Sequence, residues 1–244
     1  MQLTKYLAVV GTNWTHEIVQ MVLNKSAEFA PMLACFENLS HEALQKLPSP
    51  RVLGTHLPLR FLPPKITERA KIVCVFRNPK DVAVSLHNYM CHINFLNYNA
   101  TWNNYYKLFV NGDVPCGDWF DHVQDWERVI TEHKTAQILT LKYEDMKQNL
   151  QETVSRIANF LCVDLGPKLT FEIANKCEFE AQYAERTTNV HEVIAKLTKD
   201  TPNFLYRKGE VGEWKNWFSV AQSEEFDKLY QERMKNSNLK LRYS

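Results

Sequence analysis

The sequence predicts an α/β fold in which a central, mostly parallel sheet is flanked by helices. Short apolar runs alternate with amphipathic stretches along the chain, and this alternation is typical of strands joined by crossover helices. No internal repeat and no linker rich in Pro, Gly or Ser divides the chain. Its 244 residues are enough for one large domain with a substantial core. We therefore expect a single three-layer domain over residues 1–244.

The first half of the chain contains three candidate strands. Tyr6–Val10 is apolar and is followed by a turn at Gly11 and Thr12, after which helical spacing begins at Asn13. The other two strands are predicted from an apolar run next to a breaker or a charged residue, at Arg51–Gly54 and Lys71–Phe76.

The remaining elements follow from capping residues and from the same patterns. Asp81 is expected to cap a helix over Asp81–Tyr89. In the second half of the chain, we predict a strand at Ile138–Lys142 and a helix at Leu150–Leu161. A loop with a basic start is predicted at Phe204–Phe218, and a terminal helix at Ser223–Met234.

Charge and cysteine usage narrow the possible functions. The 29 Lys and Arg residues nearly balance the 28 Asp and Glu residues, so the net charge is only +1. This balance argues against a chain-wide basic surface for nucleic acid or an anionic membrane, and any anion site must be local. The six cysteines form no C-x-x-C pattern, which favours reduced thiols. The first apolar run is too short for a signal peptide or a membrane span, so we expect a cytoplasmic protein.

Two local features indicate an anion site. In Val10–Trp14 a strand, a Gly-containing turn and a helix start follow one another, and backbone N–H groups at such a helix start favour a bound phosphate or sulfate. Arg77–Asp81 follows a buried strand, where ligands bind in open α/β sheets, and Arg is a natural partner of phosphate. An ordinary βα turn and a surface turn remain the alternatives for these two segments. The G-x-x-x-x-G-K-[ST] pattern of nucleotide kinases is absent.

Several longer motifs identify a family. SPRVLGTHLP (Ser49–Pro58), KIVCVFRNPKDVAVSLHNYM (Lys71–Met90) and FLYRKGEVGEWKNWF (Phe204–Phe218) resemble the cytosolic sulfotransferase family, as do WFDHVQDWE and LKYEDMKQN. GTNW and RKGEVGEWKN resemble its 6B subgroup most. The resemblance implies a single α/β domain that transfers a sulfuryl group from PAPS, the phosphoadenosine phosphosulfate donor, to a hydroxyl or amine. It implies PAP as the product and no metal.

The resemblance also implies which residues bind the donor. Arg77 and Ser85 match the residues that hold its 3′-phosphate, and Arg207-Lys208-Gly209 match a second group on that phosphate. The 5′-phosphate is expected to bind the backbone of a short loop, formed by Gly11, Thr12 and Asn13.

Aromatic residues and one histidine complete the implied site. Trp14 and Phe179 match the pair that encloses the adenine, and Tyr143 matches a further adenine contact. His56 matches the catalytic base, which must be neutral near pH 7 to take the acceptor's proton. Three other histidines have no match and are interpreted as ordinary polar or half-buried residues, namely His87, His92 and His122.

The chain departs from the family before Gly11. The family loop reads Tyr-Pro-Lys-Ser-Gly-Thr-Thr-Trp, and this chain has Val9 and Val10 in place of its Lys and Ser. Elsewhere, Gly54 replaces a second Lys of the family, two residues before His56. The family's loop Lys stabilises charge on the oxygen that leaves sulfur, and a hydrocarbon cannot do this. Residues 1–10 as a whole are atypical, which suggests an alternative start joined to a shared body. Two functions therefore remain open, a working sulfotransferase and a catalytically silent binder of PAP or PAPS that acts as a dimer partner or nucleotide sink.

The sequence also bears on the partners. Lys215–Glu224 resembles the family's K-x-x-x-T-V-x-x-x-E dimer motif, with Ser219 in place of Thr, and helix capping is the alternative interpretation. We expect a small-molecule acceptor and a possible homodimer, with neither nucleic acid nor a membrane as partner. Candidate pocket residues suggest an apolar acceptor, namely Phe61, Phe76, Tyr89, Phe95 and Tyr98.

Overall fold

The computed structural model describes residues 6–9, 12–29, 35–47, 51–63, 65–132, 136–188 and 207–242. Its contacts divide the chain into two compact units. Unit 1 comprises Met1–Arg77 with Arg128–Ala181, and unit 2 comprises Asn78–Glu127 with Gln182–Ser244.

Four strands, eleven α-helices and four short 3₁₀-helices make up the regular structure of the described residues. The strands are β1 Tyr6–Val9, β2 Val52–Thr55, β3 Lys71–Phe76 and β4 Gln137–Lys142. The helices, numbered in chain order, are α1 Thr12–Asn24, α2 His41–Lys46, α3 Ile66–Arg69, α4 Pro79–His92, α5 Trp102–Val110, α6 Trp119–Glu132, α7 Tyr143–Gln148, α8 Leu150–Leu161, α9 Gly166–Lys176, α10 Phe179–Thr188 and α11 Val220–Arg233.

Unit 1 contains the sheet, whose strand order is β2-β1-β3-β4. Every pairing is parallel, and the register places Val9 of β1 opposite Thr55 of β2 on one side and Cys74 of β3 on the other. Strand β3 pairs with β4 along its whole length, from Lys71 opposite Gln137 to Phe76 opposite Lys142. The predicted α/β class with a central parallel sheet is confirmed.

Burial explains why these segments form strands. All four residues of β2 and the last five of β3 are buried, as expected for parallel strands covered on both faces. The predicted limits of β3 and α8 agree with the structure, and those of the other strands agree within one residue. Val10, the predicted end of the first strand, lies outside the described residues.

In unit 2 the start of α4 differs from the prediction. Asp81 does not cap this helix, because Asn78 is the N-cap residue and its Oδ1 accepts the backbone N–H of Asp81 at 2.8 Å. The helix begins two residues earlier than predicted, since Pro79 is accommodated in its first turn, where no backbone N–H is needed. Asp81 has a different role, because its carboxylate accepts backbone N–H groups from Gly212 at 2.8 Å and Trp214 at 2.9 Å.

The terminal helix α11 is also held within unit 2. Its N-cap residue Ser219 forms a capping box with Gln222, which agrees with the helix-capping interpretation of Lys215–Glu224. Lys80 is almost fully buried, and its Nζ lies 2.7 Å from both the Ser223 hydroxyl and the Asp227 carboxylate. These two contacts tie α11 to α4.

Aromatic packing fills the interior of unit 2. His87 lies within 4.8–6.3 Å, centroid to centroid, of four aromatic rings, those of Tyr98, Trp102, Tyr105 and Trp217. His87 and His122 are each only 7% exposed, so both lie deeper than the half-buried alternative of the sequence prediction. Burial lowers the pKa of His87, which therefore packs as a neutral ring. No helix in the described part of the chain has the length and apolar character needed to span a membrane.

We expect Asp81→Ala to lower the free energy of unfolding by about 3 kcal/mol or more, because it leaves the Asn78 amide and two backbone N–H groups without their acceptor. Urea unfolding followed by circular dichroism measures this loss. Asp113→Ala removes an exposed carboxylate of the same unit and should change stability by less than about 0.5 kcal/mol. A loss below about 1 kcal/mol in Asp81→Ala would show that this carboxylate does not anchor the loop.

Candidate functional site

In unit 1 five of the predicted site residues follow the carboxyl ends of the strands. Because all four strands are parallel, their carboxyl ends share one edge. The residues that follow them are Asn13 and Trp14 after β1, His56 after β2, Arg77 after β3 and Tyr143 after β4. The strand order also reverses at β1, and ligands of open α/β sheets bind beside such a reversal.

Tyr143 contacts two of these residues, Arg77 and Trp14. The Arg77 guanidinium lies 4.1 Å from the centroid of the Tyr143 ring, a cation–π arrangement. The Trp14 and Tyr143 centroids are 5.3 Å apart with the rings edge to face, and Trp14 Nε1 donates to the Cys177 carbonyl at 2.8 Å. Trp14 remains half-buried, so it can take further contacts. The structure therefore brings together one cation and two aromatic rings.

Phe179 is the first residue of α10. It lies two positions after Cys177, whose backbone carbonyl accepts the hydrogen bond from Trp14. It is half-buried. The predicted enclosure of an adenine by Trp14 and Phe179 stays a prediction, as does the adenine contact of Tyr143.

The first βα turn is described only in part. Val9 ends β1, and the backbone of α1 begins at Thr12, so a 13-residue helix starts at the sheet edge as predicted. Gly11 lies outside the described residues, and the roles of Thr12 and Asn13 in binding a 5′-phosphate stay predictions. Such a helix start favours an anion, because its first N–H groups have no partner within the helix.

His56 is held by a carboxylate that the sequence did not reveal. One oxygen of Glu37, Oε1, accepts the His56 backbone N–H at 3.0 Å and lies 3.1 Å from its Nδ1. An ionised carboxylate can only accept, so Nδ1 carries the proton and the lone pair of a neutral ring is on Nε2. Burial raises the pKa of Glu37, but the hydrogen bonds from His56 outweigh it and the pKa is lowered overall. Glu37 therefore holds the ring of His56 in an orientation that leaves Nε2 as the nitrogen that can accept a proton.

Unit 2 carries the other predicted phosphate ligands. Ser85 is exposed in the second turn of α4. Arg207 and Lys208 lie side by side, and Gly209 adopts a positive φ of 65°, a conformation that favours glycine. Both cations contact Glu213, with Arg207 Nη1 at 3.1 Å and Lys208 Nζ at 2.8 Å from its Oε1. The structure thus gathers two adjacent cations of the predicted site around one acidic residue.

Two acidic residues, Glu37 and Glu213, are functional candidates that the sequence analysis missed. Glu37 lies nineteen residues before His56 and outside every motif, so no local pattern reveals its partner. Glu213 lies inside the motif RKGEVGEWKN, where an acidic residue among basic ones could have indicated an internal ion pair.

Within the described residues, neither a cluster of metal ligands nor the cavity beside α8 and α9 indicates another site. No group of three or more His, Cys, Asp or Glu side chains in the described ranges could hold a metal ion. A cavity of about 580 Å³ is lined mainly by α8, α9 and the segment between them, and no predicted site residue lines it.

Comparison with known proteins shows the family of this chain. The model of the sulfotransferase domain matches residues 10–238. Sulfotransferase 1B1 of the dog is 36% identical over 95% of this chain and 82% of its own length. Sulfotransferase 6B1 of the zebrafish is 33% identical over 95% of this chain and 77% of its own length.

Solved structures are similar as well. Mouse sulfotransferase SULT7A1, solved in complex with PAP, is 29% identical with a TM-score of 0.79, over 98% of this chain and 86% of that protein. Retinol dehydratase, solved with retinol and PAP, has a TM-score of 0.83 over 99% of this chain and 84% of that protein, and at 22% identity it supports the fold alone. With a family model that matches nearly the whole chain and relatives above 30% identity, the chain belongs to the sulfotransferase family.

Proposed function

We propose that the chain binds PAPS and its product PAP and transfers a sulfuryl group to a hydroxyl or amine of a small apolar acceptor. The observation that carries the proposal is the carboxyl edge of the sheet in unit 1, where each strand is followed by a residue that the family resemblance assigns to donor binding or catalysis. The solved relative SULT7A1 contains PAP, which supports the same nucleotide here.

The donor's groups match the chemistry of the proposed ligands. The half-buried Trp14 and Phe179 offer flat apolar surfaces to the adenine, with Tyr143 beside Trp14. The backbone at Gly11, Thr12 and Asn13 would bind the 5′-phosphate, since a helix start favours negative charge. The family resemblance assigns the 3′-phosphate to Arg77, Ser85, Arg207, Lys208 and Gly209. Arg is suited to this task because its planar guanidinium can donate two parallel hydrogen bonds to phosphate.

His56 is proposed as the catalytic base. The acceptor oxygen attacks sulfur, the bond from sulfur to the 5′-phosphate oxygen breaks, and Nε2 of His56 takes the acceptor's proton. Glu37 supports this role, because a proton on Nδ1 leaves Nε2 as the basic nitrogen. Both electrons of the broken bond remain on the phosphate oxygen of PAP.

A second function is supported by Val9. This residue ends β1 at the sheet edge, where the family has Lys, and a valine cannot stabilise charge on the leaving oxygen. Loss of one such stabiliser commonly lowers the rate about 10²–10³-fold. The alternative is a chain that binds PAP or PAPS without turnover and serves as a dimer partner or a nucleotide sink.

The proposal also covers the chain's setting. We propose a cytoplasmic enzyme that needs no metal, and a homodimer formed through Lys215–Glu224. Val220 in this segment is 76% exposed, so its apolar side chain is available to a partner there.

We predict saturable binding of PAP in calorimetric titration, and at least a tenfold loss of affinity in Arg77→Ala because the 3′-phosphate loses a charge-assisted contact. Arg69→Ala is the matched control, since it removes an exposed arginine of the same unit and should leave affinity within twofold. A folded chain that does not bind PAP would contradict both proposed functions.

Val9→Lys is predicted to raise turnover at least tenfold, because the ammonium group can stabilise charge on the leaving oxygen. The measurement is transfer of labelled sulfuryl from PAPS to a panel of phenol, alcohol and amine acceptors. Val9→Met is the control for added length without charge and should change turnover less than threefold. Equal turnover in the wild-type and Val9→Lys chains would show that position 9 does not limit the rate.

In the Val9→Lys background, we expect His56→Ala to lower kcat by about 10²–10⁴, the usual contribution of a general base. PAP affinity should stay within twofold, because His56 is assigned to the acceptor and not to the nucleotide. His92→Ala is the control, since this half-buried histidine has no assigned role. If His56→Ala retains more than a tenth of the kcat, another group must accept the proton.

A further inference from the structure

We propose that Glu213 is a positioning residue that holds Arg207 and Lys208 in the arrangement in which they bind the nucleotide's 3′-phosphate. The inference rests on the proposed function and adds to it an acidic residue that the resemblance leaves without a role. All the residues that carry it lie in unit 2.

Glu213 accepts hydrogen bonds from four side chains. Its Oε1 lies 3.1 Å from Arg207 Nη1 and 3.2 Å from Trp217 Nε1, and its Oε2 lies 2.9 Å from Lys208 Nζ and 2.9 Å from Asn216 Nδ2. The side chain is only 4% exposed. Burial alone would raise the pKa of Glu213, but these hydrogen bonds lower it to about 2, so the carboxylate is charged at neutral pH.

The backbone around Glu213 is held as well as its side chain. The residues on either side of it, Gly212 and Trp214, donate their backbone N–H groups to the carboxylate of Asp81. Asp81 is 1% exposed in the first turn of α4. Glu213 is therefore a fixed acceptor, whereas arginine and lysine side chains on their own move among many rotamers.

Charge and exposure leave the two cations able to bind a second anion. Two positive charges face one carboxylate, so the group formed by Arg207, Lys208 and Glu213 keeps a net charge of about +1. The Arg207 side chain is 29% exposed and that of Lys208 is 44% exposed, in contrast to the buried Glu213. A guanidinium has five donors, and only Nη1 is directed at Glu213, so donors remain for a phosphate.

The test compares PAP with adenosine 5′-phosphate, which lacks the 3′-phosphate, by calorimetric titration of the full chain. Glu213→Gln should weaken PAP binding at least tenfold and change binding of adenosine 5′-phosphate less than twofold. Glu213→Asp keeps the charge and should recover at least a third of the wild-type PAP affinity. Glu232→Gln removes an exposed carboxylate of the same unit and should leave both affinities within twofold.

A purely structural role for Glu213 would weaken both nucleotides by the same factor, and that result overturns the inference. Unchanged PAP binding in folded Glu213→Gln also overturns the inference. Tighter PAP binding does so too, because it would show that Glu213 competes with the phosphate for the two cations. If Glu213→Gln does not fold, the comparison is made with Glu213→Asp, whose PAP affinity must fall by a larger factor than its affinity for adenosine 5′-phosphate. Failure of the wild-type chain to bind PAP overturns the proposed function and the inference with it.

Acid unfolding checks that the ion pair is present. Because the folded-state pKa of Glu213 lies below its ordinary value of 4.5, its contribution to stability is complete above about pH 4.5 and is lost as the pH falls towards 2. The wild-type chain should therefore lose more stability than Glu213→Gln across this range. Equal losses would show that Glu213 is not the ionised partner of the two cations, which also overturns the inference.

Discussion

The parallel direction of all four strands is the constraint on which the site in unit 1 depends. Strands that run in one direction end at one edge, so segments far apart in sequence deliver their next residues to the same place. His56, Arg77 and Tyr143 each come immediately after a strand, and Trp14 comes in the first turn of the following helix. Reversal of one strand would move its functional residue to the opposite edge. The buried apolar runs of β2 and β3 therefore determine the chemistry of unit 1 as much as the polar residues do.

Buried acidic residues play the corresponding role in unit 2. Asp81 receives two backbone N–H groups of the loop that carries Arg207 and Lys208, and Glu213 receives the two cations themselves. A buried carboxylate is tolerated only where donors surround it, so each of these residues fixes the positions of several groups at once. This arrangement gives a loop with little regular structure a defined shape. It also explains why the loop motif contains an acidic residue although an anion is its proposed ligand.

Elements that depend on neighbours in sequence were predicted well, whereas contacts between residues distant in sequence were not predicted. A continuous apolar run located β3, and apolar residues at helical spacing located α8, because the pattern of burial differs between a strand covered on both faces and a helix covered on one. The start of α4 was placed too late, because Asn78 and Asp81 are both good N-caps and only the structure shows that Asp81 is engaged elsewhere. The motifs predict Arg77, Arg207 and Lys208 as phosphate ligands, but they are silent on Glu37, whose link to His56 exists only in three dimensions.

Binding and turnover depend on different parts of this chain, and that separation gives Val9 its significance. The contacts of Tyr143 with Trp14 and Arg77 do not involve Val9, and in the proposed function these residues bind the adenine and the 3′-phosphate, parts of the donor that the reaction does not change. Such uniform binding lowers the free energy of the complex but does not lower the barrier from it. A charge that acts on the leaving oxygen has the opposite effect, because it matters mainly in the transition state. A chain that keeps the first set of contacts and replaces that charge with a hydrocarbon should therefore hold its nucleotide well while it reacts slowly.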